Sequence, residues 1–252
     1  MADIPDERTR EIAESNARGE EEGEEGRAWW RRKDYPADSK GLGVANGGIG
    51  ANGVGGETAI VYEGLEEGLG AVAECIKGEG PFDGVVGFSQ GACAAGFVAS
   101  LLEGEARREA FIRQEKNGGI KYPDSFLAQD DKGDGRGRTG FVQAPLKFAV
   151  AYCGFRAPGD LYKPFYEPKI KTPLLNVLGA VDVVVDEGRS RALVDACKGG
   201  EERVVIHPGG HFVPSQKAWL DAVSGFVKEC LVGREEREKE QEEKVEDMDV
   251  PF

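Results

Sequence analysis

The stretch Gly84–Phe97, GVVGFSQGACAAGF, decides how this chain is read. Val85, Val86 and Phe88 form a short apolar run, and from Ala92 onward the residues become small and helix-favouring. Between the two, Gly87-Phe88-Ser89-Gln90-Gly91 sets a serine centrally between two glycines. In a G-x-S-x-G elbow a strand turns sharply into a helix, which lifts the serine clear of the backbone while small neighbours avoid clashes. The helix N-terminus favours negative charge developing beside the hydroxyl. A serine is nevertheless a poor nucleophile until a base takes its proton. The same pattern also serves as a purely structural βα turn, so residues elsewhere must decide between the two readings.

The base is easy to locate, because the chain has two histidines, both in Ile206-His207-Pro208-Gly209-Gly210-His211-Phe212-Val213-Pro214. Both follow the last predicted strand. His207 stands at the strand end, where a packed or hydrogen-bonded imidazole is the plainer reading. Gly209 and Gly210 let the loop turn tightly and bring His211 to the carboxyl edge of the sheet. His211 is therefore the expected base. A base of this kind needs a carboxylate to orient its ring. The strand Leu174–Leu178 runs into Gly179-Ala180-Val181-Asp182, which puts Asp182 at the same edge. Asp186 competes, but with Glu187 it reads better as the start of the following helix. The chain order Ser89, Asp182, His211 is that of α/β-hydrolases.

Around these residues the pattern is α/β. Leu65, Leu69, Val72 and Ile76 lie on one helical stripe, stopped near Gly78, Gly80 and Pro81. Strands are predicted over Val85–Phe88, Leu146–Tyr152, Leu174–Leu178 and Arg203–Ile206, and helices over Ala92–Leu102 and Ser190–Cys197. Trp219, Val223, Phe226 and Cys230 trace a closing helix. Short apolar strands alternating with helices imply a mainly parallel sheet flanked by helices. The expected organisation is a polar, mobile segment over residues 1–26, a catalytic domain over 27–231 with flexible insertions near 38–57 and 103–144, and a charged tail over 232–252 that reads as frayed helix or disorder.

Two weaker motifs are set aside. Gly48, Gly50 and Gly53 formally satisfy G-x-G-x-x-G, but their flanks are more glycine and polar residues rather than a strand and a helix. A nucleotide-binding module therefore rests on one misplaced motif. The aspartates of DDKGDGRGRTG suggest a calcium loop, yet Lys132 and Phe141 occupy positions that must carry ligands if counting starts at Asp130.

Composition excludes more than it assigns. The 252-residue chain carries a net charge of −14, which argues against a broad basic face for nucleic acid or anionic membrane. Hydrophobic residues at 40% suffice for a core, although a mean hydropathy of −0.43 signals substantial polar segments. No apolar run of about 18 residues exists, so no membrane span is expected. The acidic start is unlike a secretory signal. Five scattered cysteines, Cys75, Cys93, Cys153, Cys197 and Cys230, fit a reducing compartment better than disulfides or a zinc site. A cytoplasmic or nuclear setting, and no cofactor or metal, are expected.

Four segments resemble the FSH family, the "family of serine hydrolases" of the α/β-hydrolase superfamily: Arg27–Trp30, Gly80–Ala92, Gly179–Asp182 and His207–Pro214. The resemblance implies acyl hydrolysis with Ser89 as nucleophile, Asp182 as orienter, His211 as base and the Gln90 backbone N–H as oxyanion donor. It implies a small-molecule acyl ester or thioester as partner, free or carrier-bound. Family members start with a strand and a Leu-His-Gly-type loop, then a helix and a second strand. None of these is read here before Trp29, so an N-terminally truncated hydrolase is expected, with one oxyanion donor and a catalytically impaired remnant or binding protein as the alternative. Trp29 and Trp30 either line an acyl cleft or pin the N-terminal arm, and packing is the commoner use of such residues.

Overall fold

A computed structural model describes residues 28–35, 59–128 and 140–248, with backbone alone from 233 to 248. In chain order the elements are β1 (Arg31–Tyr35), β2 (Ala59–Glu63), α1 (Leu65–Glu79), β3 (Gly84–Phe88), α2 (Gln90–Leu101), α3 (Glu105–Glu115), β4 (Phe148–Tyr152), β5 (Leu174–Gly179), α4 (Glu187–Asp195), β6 (Val204–His207) and α5 (Lys217–Met248). Strands β3-β4-β5-β6 form a parallel sheet in that order, each step joined by a crossover. This is the predicted α/β class. β1 and β2 pair separately and antiparallel.

The central strands of the sheet are covered on both faces, and their sequences show it. β5, LLNVLG, is buried at its first five positions, as a two-sided central strand must be. On one face Ala149 and Ala151 of β4 meet Ala92, Cys93 and Phe97 of α2, which is buried from Ala92 to Leu101. Small residues on both sides let helix and sheet approach closely. On the other face Val150, Tyr152, Leu175 and Val177 are covered by Val223, Phe226 and Val227 of α5. Parallel strands point their carboxyl ends the same way, so the segments after β3, β4, β5 and β6 share one edge. That edge carries the site.

One expectation changes, and two features are added. Residues 103–144 do not form one flexible insertion: α3 occupies Glu105–Glu115, a 3-10 turn spans Asp124–Phe126, and Phe111, Tyr122 and Phe126 are buried. The segment is held by a polar anchor that hydropathy does not display. Arg107, buried in α3, pairs with Glu103 at 2.7 Å and donates to Pro164 O at 2.9 Å. Glu103 in turn accepts from the backbone N–H groups of Lys171 and Thr172. The charged tail continues α5 as helix to Met248. The hairpin β1–β2 was not predicted, because β1 is RRKDY with four of five residues exposed. The glycine-rich G-x-G-x-x-G stretch and Asp130 lie outside the described residues.

The hairpin is fixed by aromatic packing. Trp30, 4% exposed, stacks on Tyr62 at 4.9 Å, and Tyr62 stacks on Tyr162 at 4.7 Å. Among the described residues β3 pairs only with β4, leaving Val86 60% and Phe88 40% exposed.

Candidate active site

Ser89 sits between β3 and α2 with φ 54° and ψ −118°, a conformation rarely taken by a residue with a Cβ. Its N–H donates to Tyr152 O at 2.9 Å, tying the elbow to β4. The preceding glycine is required by contact: a Cβ on Gly87 would lie 2.0 Å from Gly91 O. This strained turn lifts the hydroxyl above the sheet edge. Gln90 opens α2, and among the described residues its backbone N–H meets no protein acceptor. Its side chain clasps the arm before β1, accepting from Trp29 N–H at 2.8 Å and donating to Trp30 O at 3.0 Å.

His211 arrives from the loop after β6. Its Nε2 lies 2.9 Å from Ser89 Oγ and its Nδ1 lies 2.8 Å from Asp182 Oδ2. A carboxylate there can only accept, so Nδ1 carries the proton and Nε2 is left to accept from the serine hydroxyl. Asp182 is itself held, its Oδ1 accepting from Val184 N–H and Val185 N–H, both at 2.9 Å. The His211 and Asp182 side chains are 4% and 5% exposed. Burial pushes the Asp182 carboxyl up, but hydrogen bonds from His211, Val185 and Val184, with the neighbouring imidazole, leave it below the usual value. The structure thus brings Ser89, Asp182 and His211 together at the carboxyl edge of the sheet.

The competitors fall elsewhere. Asp186 caps α4, accepting from Arg189 N–H at 3.1 Å. His207, 1% exposed, accepts from Gly209 N–H through Nδ1 and lies 4.9 Å from the Phe212 ring. Burial holds its pKa below the ordinary histidine value. Trp30 serves the aromatic stack, whereas Trp29 is 41% exposed, with its backbone bound to Gln90.

One neighbour escaped sequence reading. Cys153, the first residue after β4, comes under the Asp182–His211 pair, and Cys153, Asp182 and His211 bring ligand-type atoms within 4.8 Å of one another. Its position just past a strand end, on the edge shared with Ser89 and Asp182, was the available signal. The three residue types could ligate a metal, but the His211–Asp182 contact already holds a proton and Cys153 is a protonated thiol. None of the five cysteines is in a disulfide. Among the described residues no helix is long and apolar enough to cross a membrane.

With this geometry in view, the family model "Serine hydrolase (FSH1)" matches residues 2–223. The chain belongs to this serine hydrolase family. Relatives include Esterase OVCA2 of Danio rerio, 32% identical over 166 residues that make up 66% of this chain and 57% of that protein. "Family of serine hydrolases 3" of Saccharomyces cerevisiae is 30% identical over 149 residues, 59% of this chain and 45% of that one. A Schizosaccharomyces pombe protein named dihydrofolate reductase is 31% identical over 66% of this chain, but the match is 29% of that longer protein. The chain therefore spans between about 29% and 57% of the length of these relatives.

Proposed function

We propose that this serine hydrolase family member cleaves a carboxylic ester or thioester through an acyl-enzyme. The observation that carries the reading is the unbroken Ser89 Oγ–His211 Nε2, His211 Nδ1–Asp182 Oδ2 chain, with contacts of 2.9 and 2.8 Å. Ser89 Oγ attacks the acyl carbon while its proton passes to His211 Nε2. The ester or thioester bond then breaks, and the imidazolium returns that proton to the departing alcohol or thiol. Water, deprotonated by the same nitrogen, attacks the acyl-serine and releases the acid. Asp182 keeps the ring in the required tautomer and stabilises the imidazolium. The Gln90 N–H, at the N-terminus of α2, is the donor for the tetrahedral oxyanion. Cysteines outside any disulfide support a reducing compartment, the cytoplasm or nucleus.

A fluorophosphonate probe tests the reading. Labelling of the folded chain that disappears in Ser89→Ala supports it, and an unlabelled, well-folded wild type sinks it.

A second reading, a catalytically impaired remnant or a binding protein, draws on a different observation. Among the described residues Gln90 N–H is the one donor we assign to the oxyanion, and β3 has an open edge. Loss of one oxyanion donor costs roughly a hundred- to a thousandfold in turnover. Ser89-dependent ester turnover above that residual level rules this reading out.

A further inference from the structure

Below the Asp182–His211 pair lies a thiol that the mechanism above leaves unused. Cys153 is 1% exposed and has φ 49°, in the left-handed region that is costly for a residue with a Cβ. Its Sγ lies 3.7 Å from Phe212 O and 4.0 Å from Gly210 O, the carbonyls flanking His211 in sequence. The same sulfur is among the atoms within 4.8 Å of the Asp182 carboxylate and the His211 ring. Burial first, and then the charge and hydrogen bond of Asp182, push the thiol up to about 12. It is therefore an S–H donor, neither a thiolate nucleophile nor a ready metal ligand.

A comparison within the molecule separates this thiol from an ordinary packing cysteine. Cys197 is equally buried, but it lies just past the end of α4 and its Sγ donates to Leu193 O of that helix at 3.2 Å. Cys153 faces acceptors on two separate segments, the carboxylate after β5 and the carbonyls after β6. Both segments must keep their separation for Nδ1 to reach Oδ2. A small polarizable thiol at the end of β4, in a strained backbone, packs against both, its one proton going to one acceptor at a time.

We propose that Cys153 is a positioning residue of the catalytic triad, its buried thiol seating the His211 loop and the Asp182 carboxylate against the end of β4. It touches no substrate and acts through His211, so the proposal rests on the hydrolase reading. Cys153→Ala leaves the acceptors facing a void and lets the loop relax, which displaces the base from Ser89. Small displacements of a catalytic group are expensive even when binding is intact.

The experiment compares wild type, Cys153→Ala, Cys153→Ser and Cys197→Ala, using a chromogenic carboxylic ester. Cys153→Ala is expected to lower kcat roughly three- to tenfold at unchanged KM, as loss of a modest hydrogen bond would. Cys153→Ser, which restores a donor, is expected to recover most of that loss. Cys197→Ala is expected to lower stability and leave kcat alone. Wild-type kcat in Cys153→Ala, or equal impairment of folded Cys153→Ser and Cys153→Ala, overturns the proposal. A readout independent of turnover is the low-field proton NMR signal of the His211–Asp182 hydrogen bond. It is expected in wild type and Cys153→Ser and should broaden or vanish in Cys153→Ala. An intact signal in Cys153→Ala overturns the positioning role even if no ester is turned over. Its loss there, in a chain whose wild type hydrolyses nothing, supports the positioning role and sinks the hydrolase reading instead.

Discussion

Asp182 is pulled in two directions, and the balance sets a measurable pH dependence. Burial alone would raise its pKa, but its hydrogen bonds and the imidazole bring it below the reference value of 3.8. A carboxylate with a depressed folded value adds stability that is fully present above the unfolded value and lost as pH falls through the folded one. The stability gap between wild type and Asp182→Asn should therefore be constant above about pH 5 and shrink below about pH 4. Urea titrations across that range check it. At neutral pH the same variant should lose roughly 10³–10⁴ in kcat, because Asn can present the wrong hydrogen-bond partner to Nδ1. The two histidines should separate cleanly. His211→Asn removes turnover, whereas His207→Asn perturbs packing against Phe212 and Trp219 and keeps kcat within a few-fold. Which histidine reaches Ser89 was readable from the glycines that let the loop turn. Cys153 was not, since its role depends on which chain segments lie above it.

At the scale of elements, the two glycines of the nucleophile turn are not equivalent. A Cβ on Gly87 would press on the backbone of Gly91 and Ala92 at 2.0 and 2.7 Å, whereas one on Gly91 would meet only Trp29 Nε1 at 3.5 Å. Gly87→Ala should destabilise the fold by more than about 3 kcal/mol and abolish labelling at Ser89, while Gly91→Ala should fold and stay reactive. Thermal melts with probe labelling test both. The packing of α3 makes a second case. With Arg107 fully buried against Glu103, Arg107→Ala takes the counter-charge from a largely buried carboxylate, leaving it only the Lys171 and Thr172 backbone N–H groups, and should cost roughly 3 kcal/mol in chemical denaturation. This helix was invisible to hydropathy because its seat is an ion pair and a few aromatic side chains rather than an apolar stripe. β1 escaped for a related reason: a charged, mostly exposed strand exists only because β2 pairs with it. Strands β3 to β6 were legible because a two-sided parallel sheet demands apolar runs.

Across the whole molecule, the net charge of −14 repels itself in the compact state. Moderate salt should screen that repulsion and raise the melting midpoint by a few degrees between about 10 mM and 150 mM sodium chloride, as calorimetry would record. A midpoint falling with salt would show that surface ion pairs outweigh the net repulsion. The sequence by itself determined the α/β class, the serine at a strand-to-helix turn, and an aspartate and a histidine that follow later strands. It could do so because burial periodicity and turn chemistry are local, and because every parallel strand delivers its successor loop to one edge. Only the tertiary structure decided the rest: that Asp182 and His211, 29 residues apart, meet at 2.8 Å, and that His211 reaches Ser89 across 122 residues. The thiol of Cys153 under that pair, and the Gln90 clasp on Trp29 and Trp30, belong to the same group. Such contacts are set by how strands stack side by side and how loops fold over their ends, and no pattern along the chain records those distances.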